Sequence, residues 1–265
     1  MTTQTDDRLS DRHVVVTGGA QGIGRGIAVR CARAGADVTV FDTQPDVAEE
    51  TASLVRETGS EAAVYEVDVT DASAVEAAVG SATDELGPIR GLVNNAGIQR
   101  ATPLLETSEA EWDAHFDVNA KGTFLVSKAV AASMVDRGVA GSIVNVSSVG
   151  AERPFPGQGA YGASKAAVLA FTTVLAKELS DHGITVNAVK PGTVETPMVE
   201  QWLDEHAEQS ERTREEVLTD ALDDHVLDRM GRPEEVGHVV VLLLSEEGAW
   251  MTGESVAVDG GYLSE

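Results

Sequence analysis

The sequence predicts an α/β fold: one doubly wound sheet of about seven parallel strands, with helices on both faces. Two observations carry it. From His13 onward, short β-branched runs alternate with longer stretches of helical period, the pattern of repeated βαβ units. A glycine-rich turn then leads from the first run straight into a helix. With 265 residues, 42% of them hydrophobic, the chain can bury one large core. No Pro/Gly/Ser-rich linker, low-complexity tract or repeat divides it, so residues 1–265 read as a single domain.

The first strand, His13 to Thr17, runs into Thr17-Gly18-Gly19-Ala20-Gln21-Gly22-Ile23-Gly24 and a helix over Gly22 to Ala34. Glycines let a backbone approach a pyrophosphate, and a helix N-terminus offers it unpaired N–H groups and a positive dipole end. Gly18, Gln21, Gly22, Ile23 and Gly24 are therefore candidate dinucleotide contacts in a Rossmann-type arrangement. The second strand, Asp37 to Phe41, ends at Asp42, 18 residues past Gly24. A carboxylate there accepts hydrogen bonds from a ribose diol and repels a 2′-phosphate, and Thr43-Gln44 supplies no arginine to offset it, which favours NAD. The competing reading of Asp42 is a turn residue.

The third strand spans Ala62 to Val67, followed by a helix over Ala72 to Leu86, a fourth strand over Gly91 to Asn94 and a long helix over Glu109 to Val135. The fifth strand, Ser142 to Ser147, ends in two hydroxyls, with Ser148 lying 13 residues before Tyr161. Tyr161 and Lys165 are at i and i+4 on a helix over Tyr161 to Leu179 and share a face. A neighbouring cation lowers the pKa of a phenol, which makes a phenolate usable as a base. Glu152, Arg153, Phe155 and Gln158, between the serines and Tyr161, are candidates to line a substrate pocket.

After a sixth strand, Thr185 to Val189, the polar stretch Met198 to Asp228 reads as a small helical lid, with helical segments at Glu200 to Asp204 and Thr219 to Leu227. Insertions past the carboxyl end of a strand often cover a ligand. The competing reading is a solvated helical excursion. A helix over Pro233 to Ser245 and a seventh strand over Ser255 to Val258 complete the sheet.

Composition narrows the partners. Forty-four acidic against 19 basic residues give a formal net charge of −25. That field repels phosphate backbones and anionic lipid, arguing against nucleic-acid and membrane binding. It is tolerable where concentrated salt screens it over about 3 Å, which points to a salt-rich cytoplasm; the alternative is acidity kept for solubility. Cys31 is the single cysteine, so an intramolecular disulfide is impossible. The six histidines lack metal-ligand spacing, so no metal site is expected. Trp202, His206 and His225 lie in the lid and are candidates either to face substrate or simply to pack. Met1 to Asp11 holds no apolar stretch of the kind a signal peptide needs, and a cytoplasmic location is expected.

Over essentially its full length the chain resembles the classical short-chain dehydrogenase/reductase family. The resemblance rests on the glycine turn, Tyr161/Lys165, Asp68-Val69, Asn94-Asn95-Ala96-Gly97, Asn119 and Pro191-Gly192-Thr193-Val194-Glu195-Thr196. It implies adenine contacts at Asp68 and Val69, dinucleotide contacts at Asn95, Ala96 and Gly97, and carboxamide contacts at Val194 and Thr196. It also implies a catalytic tetrad of Asn119, Ser148, Tyr161 and Lys165, with Asn119 positioning a water that relays protons from Lys165.

The substrate contacts expected are Ser148, Tyr161 and Gln158, with Ser148 preferred to Ser147 on family spacing. Tyr161 and Lys165 also count as cofactor contacts, Lys165 through the nicotinamide ribose. The expected activity is NAD-dependent interconversion of a secondary alcohol and a carbonyl. Polar Glu152, Arg153 and Gln158, together with a similarity of Gly97 to Glu106 and the lid entry to sugar, polyol and diol dehydrogenases, point to a sugar, polyol or small secondary alcohol. The alternatives are a 3-oxoacyl-thioester reductase and a non-catalytic dinucleotide sensor. A homotetramer is implied, with Val258 to Tyr262 resembling the family end that packs near another subunit.

Overall fold

The computed structural model describes residues 6–264, so the first five residues of the N-terminal stretch read above lie outside it. Seven strands form one parallel sheet: β1 (His13–Thr17), β2 (Asp37–Asp42), β3 (Ala62–Glu66), β4 (Ile89–Asn94), β5 (Gly141–Val146), β6 (Ile184–Pro191) and β7 (Ser255–Val258). Their spatial order is β3-β2-β1-β4-β5-β6-β7. The order reverses between β1 and β4, and a crevice opens there beyond the strand carboxyl ends.

Alternation along each strand feeds two cores. Val14 and Val16 of β1 face a layer containing Ile27 and Cys31 of α1 (Gly22–Arg33) and Val240 and Leu244 of a C-terminal helix, Pro233–Leu244. Val15 points the other way, toward α3 (Ala72–Leu86), α5 (Thr123–Asp136) and α6 (Gly159–Glu178). β1, β4, β5 and β6, the central strands, are buried along nearly all of their length, whereas β3 and β7 at the two edges are partly exposed. Cys31 is fully buried, and burial pushes its thiol up to about 12, so it packs as a small hydrophobe.

Two differences from the expected elements have physical causes. Helix α2 (Pro45–Arg56) is not among the helices singled out above. It buries only Ala48, Thr51, Ala52 and Val55, a weak stripe in a charged segment. The expected single helix over Glu109 to Val135 is α4 (Glu109–His115), a seven-residue π-helical stretch (Phe116–Gly122) and α5. The widened turn carries the fully buried Asn119, and such turns recur where function is placed.

The stretch expected to form a lid folds as α7 (Pro197–Ser210) and α8 (Arg214–Leu222), flanked by a parallel bridge from Val194 to Gly231. Residues 223–227, expected as helix, lie outside α8. Helix α9 is Pro233–Leu244. Among the described residues no helix is long and apolar enough to cross a membrane.

Candidate active site

A cleft of about 570 Å³ runs along the carboxyl ends of the strands and holds almost every residue singled out from the sequence. At its first end the walls are backbone. Gly18 and Gly22 have φ of +64° and +55°, conformations that a side chain would strain. A Cβ on Gly18 would also sit 2.8 Å from the Ala96 Cα. The loop is braced from behind: Thr17 Oγ1 accepts from the Asn95 and Ala96 amides, each at 3.0 Å, and Asn95 Nδ2 donates to the Thr17 and Gly18 carbonyls.

Gln21, Gly22 and Ile23 bring the start of α1 to the cleft wall. Four other helices, α3, α4, α7 and α8, have side-chain caps on their first N–H groups, whereas Gln21 makes no side-chain cap and the first turn of α1 holds no acid. Uncapped amides facing a glycine cradle fit a pyrophosphate. Gly24 does not line the cleft. A Cβ there would fall 2.1 Å from the Gly18 carbonyl oxygen, so its role is close packing of α1 on the turn.

Asp42 lines the cleft, and both its oxygens accept backbone amides: Ala20 N at 2.9 Å and Gln44 N at 3.1 Å. The turn role therefore coexists with a negative charge at this wall. Asp68 and Val69 lie beside it, with Asp68 accepting from Thr70 N and Oγ1. Lys165 is the single cation among the cleft-lining residues, and it sits on α6 rather than near Asp42.

Ser148, Tyr161 and Lys165 converge at the centre of the cleft. The two serines are separated by their partners. Ser147 Oγ donates to the Lys165 carbonyl at 2.9 Å, whereas Ser148 Oγ accepts from Gly150 N and bears on the Tyr161 phenol. Burial pushes the Tyr161 phenol above its ordinary range, and hydrogen bonding with Ser148 pulls it back. Lys165 is not among the groups that shift Tyr161, and burial moves Lys165 itself down to about 8. Lys165 Nζ donates to the Val146 carbonyl at 2.8 Å.

Asn119 also stays off the cleft wall. Its Oδ1 accepts from Ile98 N, and its Nδ2 donates to the Ile98 carbonyl and Ser164 Oγ, so its side chain clamps the loop after β4 to α6. A Cβ on Gly97 would meet both Asn119 Oδ1 and Lys165 Nζ, which places Asn119 directly behind the lysine.

The other end is walled by side chains. Phe155, Gln158, Met198 and Trp202 line it, with Val149 and Ile98. Glu152 and Arg153, expected there, point elsewhere: Glu152 takes Lys190 Nζ at 2.6 Å, and Arg153 reaches Asp224 at 3.0 Å and the Tyr262 carbonyl. Lys190 is buried on β6 and Asp224 lies outside the cleft, so both ion pairs draw these side chains off the wall. His206 stacks on Trp202 and His225 on Tyr262, and neither lines the cleft.

Val194 lines the wall, and Thr196 caps α7 by accepting from Val199 N. His115 is a neighbour of the site that no spacing in the sequence singles out. It is fully buried edge-on to Tyr161, its Nδ1 donates to the Glu111 carbonyl and its Nε2 accepts from Arg100 N. Among the described residues no three His, Cys, Asp or Glu side chains form a group able to hold a metal.

Comparison with known proteins identifies the family. A family model described as Enoyl-(Acyl carrier protein) reductase matches residues 18–263. The chain is 43% identical over 247 residues to the short-chain reductase protein NovJ of Streptomyces niveus, covering 93% of this chain and 92% of that one. It is 39% identical to 2-(S)-hydroxypropyl-CoM dehydrogenase 3 of Xanthobacter autotrophicus, covering 96% and 98%. A solved short-chain type dehydrogenase/reductase from Mycobacterium marinum superposes with a TM-score of 0.89 at 34% identity, covering 98% of each chain. The chain therefore belongs to the classical short-chain dehydrogenase/reductase family, oxidoreductases that act on alcohols and carbonyls.

Proposed function

We propose that the protein is an NAD-dependent dehydrogenase of a compact secondary alcohol with a largely apolar body. The observation that carries this is the contrast along one cleft: carboxylates without a cation at the glycine-turn end, and Phe155, Met198, Trp202 and Val149 at the other. A 2′-phosphate brought to Asp42 would meet like charge, whereas a ribose diol would meet an acceptor. Bound there, a nicotinamide dinucleotide supplies the hydride acceptor.

The remaining work falls to this chain's residues. Ser148 Oγ holds the substrate oxygen, and the Tyr161 phenolate takes the hydroxyl proton as the carbinol hydrogen leaves as hydride. Lys165, held by the Val146 carbonyl beside Tyr161 in the cleft wall, would hold the nicotinamide ribose. Asn119 fixes the loop behind the lysine. Because Tyr161 is raised, oxidation is expected to speed up as pH rises into the alkaline range.

Removal of Glu152 and Arg153 from the wall takes away its expected charged contacts, weighs against sugars and polyols, and leaves neutral polar groups such as Gln158 and Gln99. The cleft must also admit a dinucleotide and an alcohol together, which limits the alcohol to a small one. The second reading, a 3-oxoacyl-thioester reductase, is favoured by the family model's description and by the same apolar wall. An assay of NAD and NADP against cyclopentanol, 2-butanol, 1,2-propanediol, glucose, sorbitol and 3-hydroxybutyryl thioesters separates them. Turnover of the small alcohols with NAD is expected. Turnover of thioesters alone, with NADP, would reverse the assignment. NADH binding with no turnover would favour a sensor.

The same reading places the enzyme as a homotetramer in a salt-rich cytoplasm, supported by the net charge of −25 and by exposed Phe124 and Val174 on α5 and α6. A melting temperature that does not rise from dilute buffer to molar KCl would remove the halophilic part. Light scattering at high salt that finds only monomer would remove the tetramer.

A further inference from the structure

We infer that Tyr262, at the end of the chain, is a positioning residue that latches the substrate-end loop and the lid together and so sets the KM for the alcohol. The inference rests on the proposed placement of the alcohol beside Phe155 and Trp202. Tyr262 is 2% exposed, although it lies only three residues from the C-terminus. Its hydroxyl donates to the Arg153 carbonyl at 3.2 Å, and its own carbonyl accepts from Arg153 Nη1. The Arg153 guanidinium lies over its ring, 4.9 Å from the centroid. The Phe155 ring, which lines the cleft, packs against it at 5.7 Å. Arg153 and Phe155 both lie on the loop between Ser148 and Tyr161.

The same ring holds the distal end of the lid. His225 packs on it at 5.1 Å, Leu227 N donates to the Gly260 carbonyl at 2.8 Å, and Asp224 pairs with Arg153. A third wall is touched as well: Gly192, in the cleft lining, packs so closely on Asp259 that a Cβ would fall 2.9 Å from its Cα. Asp259 fixes the tail turn by accepting from Gly261 N and Leu263 N. One buried aromatic side chain thus joins segments 109 residues apart in sequence. The Arg153–Asp224 pair is half exposed and weak on its own, so ring burial carries the latch.

The test uses the full chain with NAD and cyclopentanol, alongside hydrogen exchange. Tyr262→Ala is expected to raise KM about tenfold with kcat and NADH affinity little changed, because the latch shapes the wall that binds the alcohol's body and touches neither Tyr161 nor the glycine turn, so what is lost is uniform binding. Tyr262→Phe keeps the ring and is expected to restore KM to within about twofold of wild type. Exchange of the amides at 152–158 and 224–227 is expected to accelerate together in Tyr262→Ala, while residues 18–24 stay protected.

An unchanged KM with unchanged exchange at 152–158 would overturn the inference, as would acceleration confined to 259–264. Should Tyr262→Ala not fold, Arg153→Met makes the same demand: joint acceleration at 224–227 and 259–263 supports the latch, and its absence refutes it. If the wild type oxidises no alcohol with either dinucleotide, the functional reading fails, and the exchange pattern still decides the latch.

Discussion

At its dinucleotide end the cleft is walled by backbone drawn from neighbouring strands, whereas at its substrate end it is walled by side chains on segments distant in sequence. Gly18, Gly22 and the start of α1 are braced by Thr17 and Asn95, one strand away. Phe155 comes from the loop between β5 and α6, where it packs on Tyr262, and Met198 and Trp202 come from α7. The first arrangement leaves little freedom, because glycine is needed where φ is positive or where another backbone touches. The second can change shape by exchanging side chains, which is how one fold accepts many substrates.

The sharpest test lies where the two ends meet. Tyr161→Phe removes the base while leaving both walls standing, so turnover is expected to fall about a thousandfold with NADH affinity unchanged. Retained turnover would show that the proton leaves by another route. Gly24→Ala attacks the dinucleotide end alone. Its Cβ would fall 2.1 Å from the Gly18 carbonyl, so a loss of about 2–4 kcal/mol in stability and at least tenfold in NADH affinity is expected by denaturant melts and fluorescence titration.

Lys165 belongs to both ends and carries a pH signature. Burial holds it at about 8 in the folded chain, below its unfolded value. The folded state therefore releases the proton first, and unfolding free energy should rise from pH 8 to about 10.5, by up to about 3 kcal/mol. Lys165→Met should lack that rise as well as activity. The smallest change concerns the substrate end. His225 is buried with both ring nitrogens unpartnered, and burial lowers its pKa. His225→Phe loses no hydrogen bond of the ring, so stability should change by less than about 1 kcal/mol in either direction, with KM preserved. A loss of several kcal/mol would mean that the ring has a polar role.

The same contrast explains what was legible in the sequence. The strands, the glycine turn and the placing of Asp42, Tyr161 and Lys165 on the cleft wall were readable because local spacing sets their positions: φ > 0 at Gly18 and Gly22, a strand end at Asp42, an i,i+4 pair on α6; Ser148 was placed by the family resemblance. Glu152 and Arg153 were misplaced because their partners, Lys190, Asp224 and Tyr262, lie 38 to 109 residues away. His115 and the π-helical turn left no local sign, since both act through backbone groups: Arg100 N and the Glu111 carbonyl for one, both backbone groups of Ile98 for the other. Gly24 was recognised as necessary and given the wrong reason, contact with phosphate in place of contact with the Gly18 carbonyl.

The central claim, that the dinucleotide end selects NAD through Asp42, is tested most directly by titrating the protein with NADH and NADPH at fixed salt, alongside Asp42→Asn. NADH is expected to bind at least about tenfold more tightly than NADPH in the wild type, with the gap narrowing in the variant as the like charge is removed. Equal affinities in the wild type, or a preference for NADPH, would contradict it.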